Sequence, residues 1–353
     1  MTWSLRRLTL KNSFLCSAPA ATTSTSPPAS PPASPKATLI RGERRVSSGV
    51  LSRLHSVEQV IKEEDEEQVD APKAAPTQTP QTTKSFDDTY QIHGELGSGH
   101  FSRVFLATRR SDGMRFAVKR IPKAKDATNE AQFREEVAIH SGLHHHAILR
   151  LQETFESATE WQLVLQLAEG GELFRLVEQG QLPEAVCLVM ARNLLQALDY
   201  LHSRGVVHRD IKPENILLAN RDDGVSGNIL LADFGLSTVV RPGEKIMKPC
   251  GSFEYAAPEV LRKPVTGYDN RADMWSFGVL LFVLLGGYHP FQHDDEKKSF
   301  RHITSANYRF HSSRWGSVSD EAKDLVTSLL QPNPECRLSA AEALNHPWFR
   351  SSF

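Results

Sequence analysis

The chain changes texture near residue 85, and this boundary decides which part of it can fold. Ser17–Thr38 contains only Ser, Ala, Pro and Thr apart from Lys36. Such a stretch cannot bury enough apolar surface to offset the entropy of ordering its backbone. Ala71–Lys84 is a second stretch rich in Pro, Thr and Gln, with the composition of a linker. Between them Leu51, Leu54, Val57, Val60 and Ile61 recur at three- and four-residue steps. They predict a short amphipathic helix in a tail (residues 1–84) that is otherwise disordered. From about Phe86 apolar periodicity sets in. Tyr90–Thr108 and Met114–Ile121 alternate as strands do, joined by an Asp112-Gly113 turn signal. Helical patterns dominate from about Glu184. Strands first and helices later predict an α+β protein with two unequal lobes over residues 85–349, ending in a stub at 350–353.

Charge and cysteine content exclude several classes. The chain holds 41 Lys+Arg against 42 Asp+Glu, a net charge of -1. That balance argues against a nucleic-acid binder, which is usually strongly basic. Up to Lys84 there are 11 basic and 8 acidic residues, and beyond it 30 and 34. Cys16, Cys187, Cys250 and Cys336 form no CxxC pair, so neither a disulfide scaffold nor a zinc module is expected. The apolar run Phe277–Tyr288 is too short to cross a bilayer and predicts a buried core helix, with no transmembrane segment. No Asp or Glu precedes Glu43. A cytoplasmic or nuclear protein is expected, with organelle targeting by the acid-free N-terminus as the alternative.

Three segments carry chemistry. Gly97-Ser98-Gly99-His100-Phe101-Ser102-Arg103-Val104 lies between two strand-like runs, where glycines let a backbone approach phosphate oxygens. It is not a Walker loop, since no Gly-Lys-Ser/Thr follows, nor a dinucleotide fingerprint, since a strand follows it. On the next strand Ala117 and Lys119 share a face: a small residue that leaves room for a base, and a positive charge for phosphates. The bland alternative is an exposed strand lysine, unless a partner carboxylate is found. Asn129–His140 predicts a helix with Phe133 and Val137 toward the core. Glu135 and Glu136 both lie beside that face, and periodicity does not choose between them. Finally, Val206–Leu218 flanks a polar loop with apolar residues, concentrating Asp210, Lys212 and Asn215 within six positions. A strand at Asn228–Ala232 then leads into Asp233-Phe234-Gly235.

With His208-Arg209-Asp210, Asp233-Phe234-Gly235, Ala257-Pro258-Glu259 and Asp273-Met274-Trp275-Ser276-Phe277-Gly278 in order, the chain resembles the eukaryotic protein kinases over about Tyr90–Phe349. The resemblance implies a small lobe of about residues 90–166 and a large lobe of about 170–349. It implies Mg-ATP as cosubstrate, with Lys119 at the α/β-phosphates paired to Glu136, and Asp233 and Asn215 holding Mg²⁺. Asp210 would orient the acceptor hydroxyl and accept its proton, beside Lys212 in the serine/threonine form of this loop. Residues 97–102 would cover the phosphates. Leu96, Val104, Ala117 and Leu217 would sandwich the adenine, behind Leu165 as gatekeeper. Gln166 and Ala168 would make the hinge contacts, and Glu172 would lie near the ribose.

Gly-x-Gly-x-Phe-Ser-x-Val, Glu169–Phe174, Cys250-Gly251-Ser252 and His346–Phe349 are similar to the calcium/calmodulin-dependent kinase group. The chain stops at Phe353, so calmodulin binding is not expected. A monomer is expected. Lys248 stands where related kinases carry an activating threonine. Any activation-segment phosphorylation would then use Ser237, Thr238 or Ser252, or none is needed. Ser252 would contact Asp210 and Lys212. Glu259 and Arg337 would form a structural ion pair. Glu172 is expected to read an arginine three residues before the acceptor. Val283, where some relatives carry glutamate, implies weak preference at the second residue before it. Partners would be protein or peptide substrates with basic residues before the acceptor. Residues 44–48 and 51–56 of the tail have this form and read first as a basic patch, with autophosphorylation or docking of the tail as the alternative. The rival reading is a pseudokinase or scaffold on the same fold.

Overall fold

The computed structural model describes residues 85–98, 102–123, 127–221, 226–262 and 266–350. The expected tail helix at 51–69 and the loop residues Gly99, His100 and Phe101 lie outside the described residues. A short helix, α1 (Phe86–Thr89), capped by Ser85, leads into the small lobe. That lobe contains β1 (Tyr90–Ser98), β2 (Arg103–Arg109), β3 (Arg115–Pro122), helix α2 (Ala127–Ser141), β4 (Leu151–Glu156) and β5 (Glu160–Gln166). The strands form one antiparallel sheet in the order β1-β2-β3-β5-β4. The alternating run expected over Tyr90–Thr108 is thus two strands. The Asp112-Gly113 signal makes the β2–β3 turn, with Gly113 at φ +74° and the Asp112 carboxylate accepting from Met114 N–H.

Strand alternation sorts the sheet into two faces. Phe116, Val118, Ala107, Tyr90 and Val164 pack on Phe86. On the other face Ala117, Leu163 and Leu165 pack with Leu149, Leu230 and Ala232, which come from beyond the sheet. Lys119 lies on this second face, opposite Val104 and Leu163. The face of the sheet that carries Lys119 is therefore also its contact with the large lobe.

The large lobe begins with β6 (Gly171–Glu172), α3 (Phe174–Gln179) and α4 (Glu184–Ser203). The helices thus start before Glu184. Short strands β7 (Val206–Val207), β8 (Ile216–Leu218), β9 (Ile229–Leu231) and β10 (Thr238–Val239) follow. They form the sheets β6-β8-β9 and β7-β10. Six further helices complete it: α5 (Pro258–Leu261), α6 (Arg271–Gly286), α7 (Glu296–Thr304), α8 (Ser312–Trp315), α9 (Asp320–Leu329) and α10 (Ala340–Leu344). Helix α6 is buried on every side from Ala272 to Gly286, as its apolar run predicts. It ends where Gly287, at φ +68°, donates to the Val283 carbonyl. Among the described residues no helix is long and apolar enough to cross a membrane.

Candidate active site

Two clusters of charged side chains stand out: one joins the two lobes, and the other lies within the large lobe. The first is built on β3 and α2. Lys119 Nζ lies 3.0 Å from Glu136 Oε1 and 2.8 Å from Asp233 Oδ1. Of the two glutamates that periodicity left open, Glu136 turns inward, while Glu135 accepts from Thr238 Oγ1 at 2.9 Å. Burial alone would lower the Lys119 pKa, but Asp233 and Glu136 outweigh it and the net shift is upward. The same Lys119 charge holds the Asp233 carboxyl well below its ordinary range. The exposed-lysine alternative fails: the Lys119 side chain is 15% exposed and pairs with two carboxylates.

Asp233 owes its aim to its backbone and its neighbour. Its φ of +63° is left-handed, a conformation most side chains avoid. Phe234 is fully buried, while the Asp233 side chain beside it is half exposed in the cleft. A Cβ at Gly235 would lie 3.3 Å from both the Asp233 and Glu136 carboxylates, so that glycine keeps the cluster open.

The second cluster is the loop after β7. Asp210 accepts from four donors. Ser252 N (3.1 Å) and Ser252 Oγ (2.9 Å) bond Oδ1. Asn215 Nδ2 (2.9 Å) and Lys212 Nζ (2.7 Å) bond Oδ2. Lys212 Nζ also donates to Ser252 Oγ at 2.8 Å, so the expected Ser252 contacts are present. Arg209, at φ +70°, carries the turn. It is held by Asp273, which accepts from His208 N at 2.9 Å and Arg209 N at 2.8 Å, with His202 Nε2 at 2.9 Å. Gly251, at φ +101°, lets the following segment close on this loop; a Cβ there would meet the Arg209 carbonyl at 2.4 Å. The Asp273 role was not read from sequence, because the contact spans more than sixty residues.

An apolar slot adjoins the first cluster. Val104, Ala117, Leu165, Ala168 and Leu217 belong to one half-buried group, with Ala117 the small member directly across from Leu165. Leu96 is exposed beside it, Gln166 is exposed, and Gly97 and Ser98 end β1. Among the described residues no group of three or more His, Cys, Asp or Glu is placed to hold a metal. Asp233 with Asn215 is a sparse oxygen set, which suits Mg²⁺ held jointly by protein and phosphate oxygens.

The rim is acidic. Burial raises the pKa values of Glu172, Glu214 and Glu254. Glu214 Oε2 is buried and makes no hydrogen bond among the described residues. Sequence reading missed Glu214 and Glu254, since nothing in their spacing sets them apart from surface carboxylates. Arg337 makes two bonds to Glu259, at 2.7 and 3.1 Å, as the structural pair expected. Lys248 is exposed, and Arg209 Nε donates to the Leu236 carbonyl. Ser237 is buried and its hydroxyl faces the His208 carbonyl at 3.4 Å.

Residues 90–349 match the protein kinase domain family. Calcium-dependent protein kinase SK5 of Glycine max is 41% identical over 273 residues, 76% of this chain and 53% of that protein. The chain thus spans about half the length of that relative. Myosin light chain kinase A of Dictyostelium discoideum is 40% identical over 265 residues, 74% of this chain and 88% of that protein.

Proposed function

Because the chain belongs to the protein kinase family, we propose that it is a serine/threonine kinase. It would transfer the γ-phosphoryl group of Mg-ATP to Ser and Thr hydroxyls of proteins. The observation that carries this reading is that the complete charged set is present and already paired: Lys119 with Glu136 and Asp233, and Asp210 with Lys212 and Asn215. Phosphoryl transfer needs positioning and charge neutralisation more than covalent help from the protein. When bound, Mg-ATP supplies the phosphoryl group and the divalent charge. Lys119 holds the α/β-phosphates, and Asp233 and Asn215 hold the metal. Asp210 orients the acceptor hydroxyl and takes its proton on a carboxylate oxygen. Lys212 keeps a positive charge beside that carboxylate.

The acidic rim supports basic peptides as substrates. Glu172 reads an arginine three residues before the acceptor, with Glu214 and Glu254 adding negative charge nearby. The test is transfer of radiolabelled phosphate to an Arg-x-x-Ser peptide. Transfer is expected to that peptide, weaker to an Ala-x-x-Ser version, and absent with Tyr as acceptor. No transfer to any peptide would favour a pseudokinase or scaffold instead. Equal transfer to the Arg and Ala peptides would remove the Glu172 assignment alone.

A further inference from the structure

Glu172, the acid that reads a substrate arginine in the proposal above, has a cation of the chain's own beside it. Glu172 closes β6, opposite Leu217 of β8. Its side chain is exposed, and its carboxylate accepts no hydrogen bond and joins no ion pair among the described residues. Arg175 follows three residues later, in the first turn of α3. Leu173 and Leu176 on either side of it are buried, whereas Arg175 is exposed. A positive charge in the first turn opposes the helix dipole, so the stability of α3 does not account for it.

An arginine on a helix finds its natural partner one turn away, and Glu178 lies three residues after Arg175. That pair does not form. Arg175 Nη2 donates instead to the Gly170 carbonyl, back across the start of the helix. This is its one hydrogen bond, and it makes no ion pair, among the described residues. Gly171 keeps the path open. A Cβ there would lie 3.0 Å from Arg175 Nη2 and 3.3 Å from Cζ and Nε, so the guanidinium rests against bare backbone. Its charge is thus fixed on the two residues that precede Glu172 and is cancelled by no acid. Burial raises the Glu172 pKa, Arg175 pulls it back, and Glu178 pushes it up. A resident cation does to this carboxylate part of what an arriving arginine would do.

We propose that Arg175 is a specificity-determining residue: an internal cation, held on the Gly170 carbonyl, that partly neutralises Glu172 and limits how strongly the site selects a basic residue in the peptide. A substrate guanidinium reaching Glu172 meets a second guanidinium of the same sign, and that repulsion offsets part of the attraction. Peptides with a neutral residue at this position are therefore disfavoured only mildly. The inference rests on the reading of Glu172 under Proposed function.

The readout is a ratio, kcat/KM for the Arg-x-x-Ser peptide over that for the Ala-x-x-Ser peptide. Arg175→Gln removes the charge and keeps an N–H for the Gly170 carbonyl. Arg175→Lys keeps the charge and loses the forked donor. The ratio is expected to rise about two- to fivefold in the Gln variant, the usual worth of an exposed charge pair. In the Lys variant it should stay within about twofold of wild type. Added to Glu172→Gln, the Arg175→Gln change should leave the ratio where it is, because the two residues then have no charge to share. An unchanged ratio in Arg175→Gln would overturn the proposal. So would an equal rise in the Lys variant, which would assign the effect to the Gly170 bond, or a rise that persists without Glu172. A wild-type ratio near one removes the Glu172 assignment and the proposal with it. A ratio above one that Arg175→Gln does not raise removes the proposal alone. If the wild-type chain transfers no phosphate, the kinase reading fails, and the affinities of the full chain for the two peptides, by fluorescence anisotropy, supply the same ratio.

Discussion

The two charged clusters are built differently. Asp210 receives its four donors from residues 212, 215 and 252, all in the large lobe. The loop behind it is anchored to Asp273 on α6, the most deeply buried helix. The Lys119 cluster instead joins a strand and a helix of the small lobe to Asp233 of the large lobe. On the proposed kinase reading, the acceptor side of the reaction is thus assembled within one lobe, while the phosphate side exists only when two lobes and one helix are in register. That reading sets a preformed base against a conditional phosphate clamp.

The largest effect is expected at the preformed side. Asp210→Asn should lower transfer to peptide by roughly 10²–10⁴-fold, the usual worth of a positioned proton acceptor. Its thermal midpoint should stay close to wild type, because Asn can keep part of the hydrogen-bonding set. On the conditional side, Glu136→Gln should lower kcat/KM for ATP on the order of 10–100-fold, since a buried charge pair loses one partner. Steady-state kinetics with ATP varied would show it; an unchanged value would break the claim that the clamp needs α2.

Acid should distinguish the two regions next. Burial lowers the pKa values of His140 to about 4 and of His289, on the large lobe, to about 3. Unfolded histidine binds a proton near pH 6.5. Below about pH 6.5 the unfolded chain therefore takes up protons that the fold refuses, and stability falls as pH drops toward 4. Glu214 and Glu254, raised by burial, work in the opposite direction in the more acid range. Urea midpoints should decline between pH 7 and 5, with exchange in α2 rising before exchange in α6. A flat or rising midpoint would contradict this. The smallest effect is expected from Thr238→Val. It removes one exposed bond to Glu135, worth about 0.5–1.5 kcal/mol at most. Activity should fall by no more than about tenfold.

Much of the candidate site could be read from the family resemblance, because Asp210, Asn215, Lys119 and Asp233 sit in short motifs that occur in the family's order. Periodicity alone could not choose between Glu135 and Glu136, since both border the apolar face of α2; the family resemblance chose Glu136, and Lys119 and Thr238 arriving from elsewhere give the physical reason. The role of Asp273 was invisible for a related reason. Its motif marks the residue, but its partners at His208 and Arg209 lie on a distant segment. The two-lobed fold followed from strands preceding helices, whereas the burial of Glu214 depends on packing that spacing does not encode.

The contrast between the clusters is tested most directly by measuring Mg-ATP affinity and peptide transfer in the same two variants. Asp210→Asn is predicted to bind Mg-ATP within about threefold of wild type while losing on the order of 10²-fold or more in transfer. Glu136→Gln is predicted to weaken nucleotide affinity together with transfer. Equal loss of nucleotide affinity in both variants, or transfer surviving in Asp210→Asn, would contradict the separation of a preformed base from a conditional clamp.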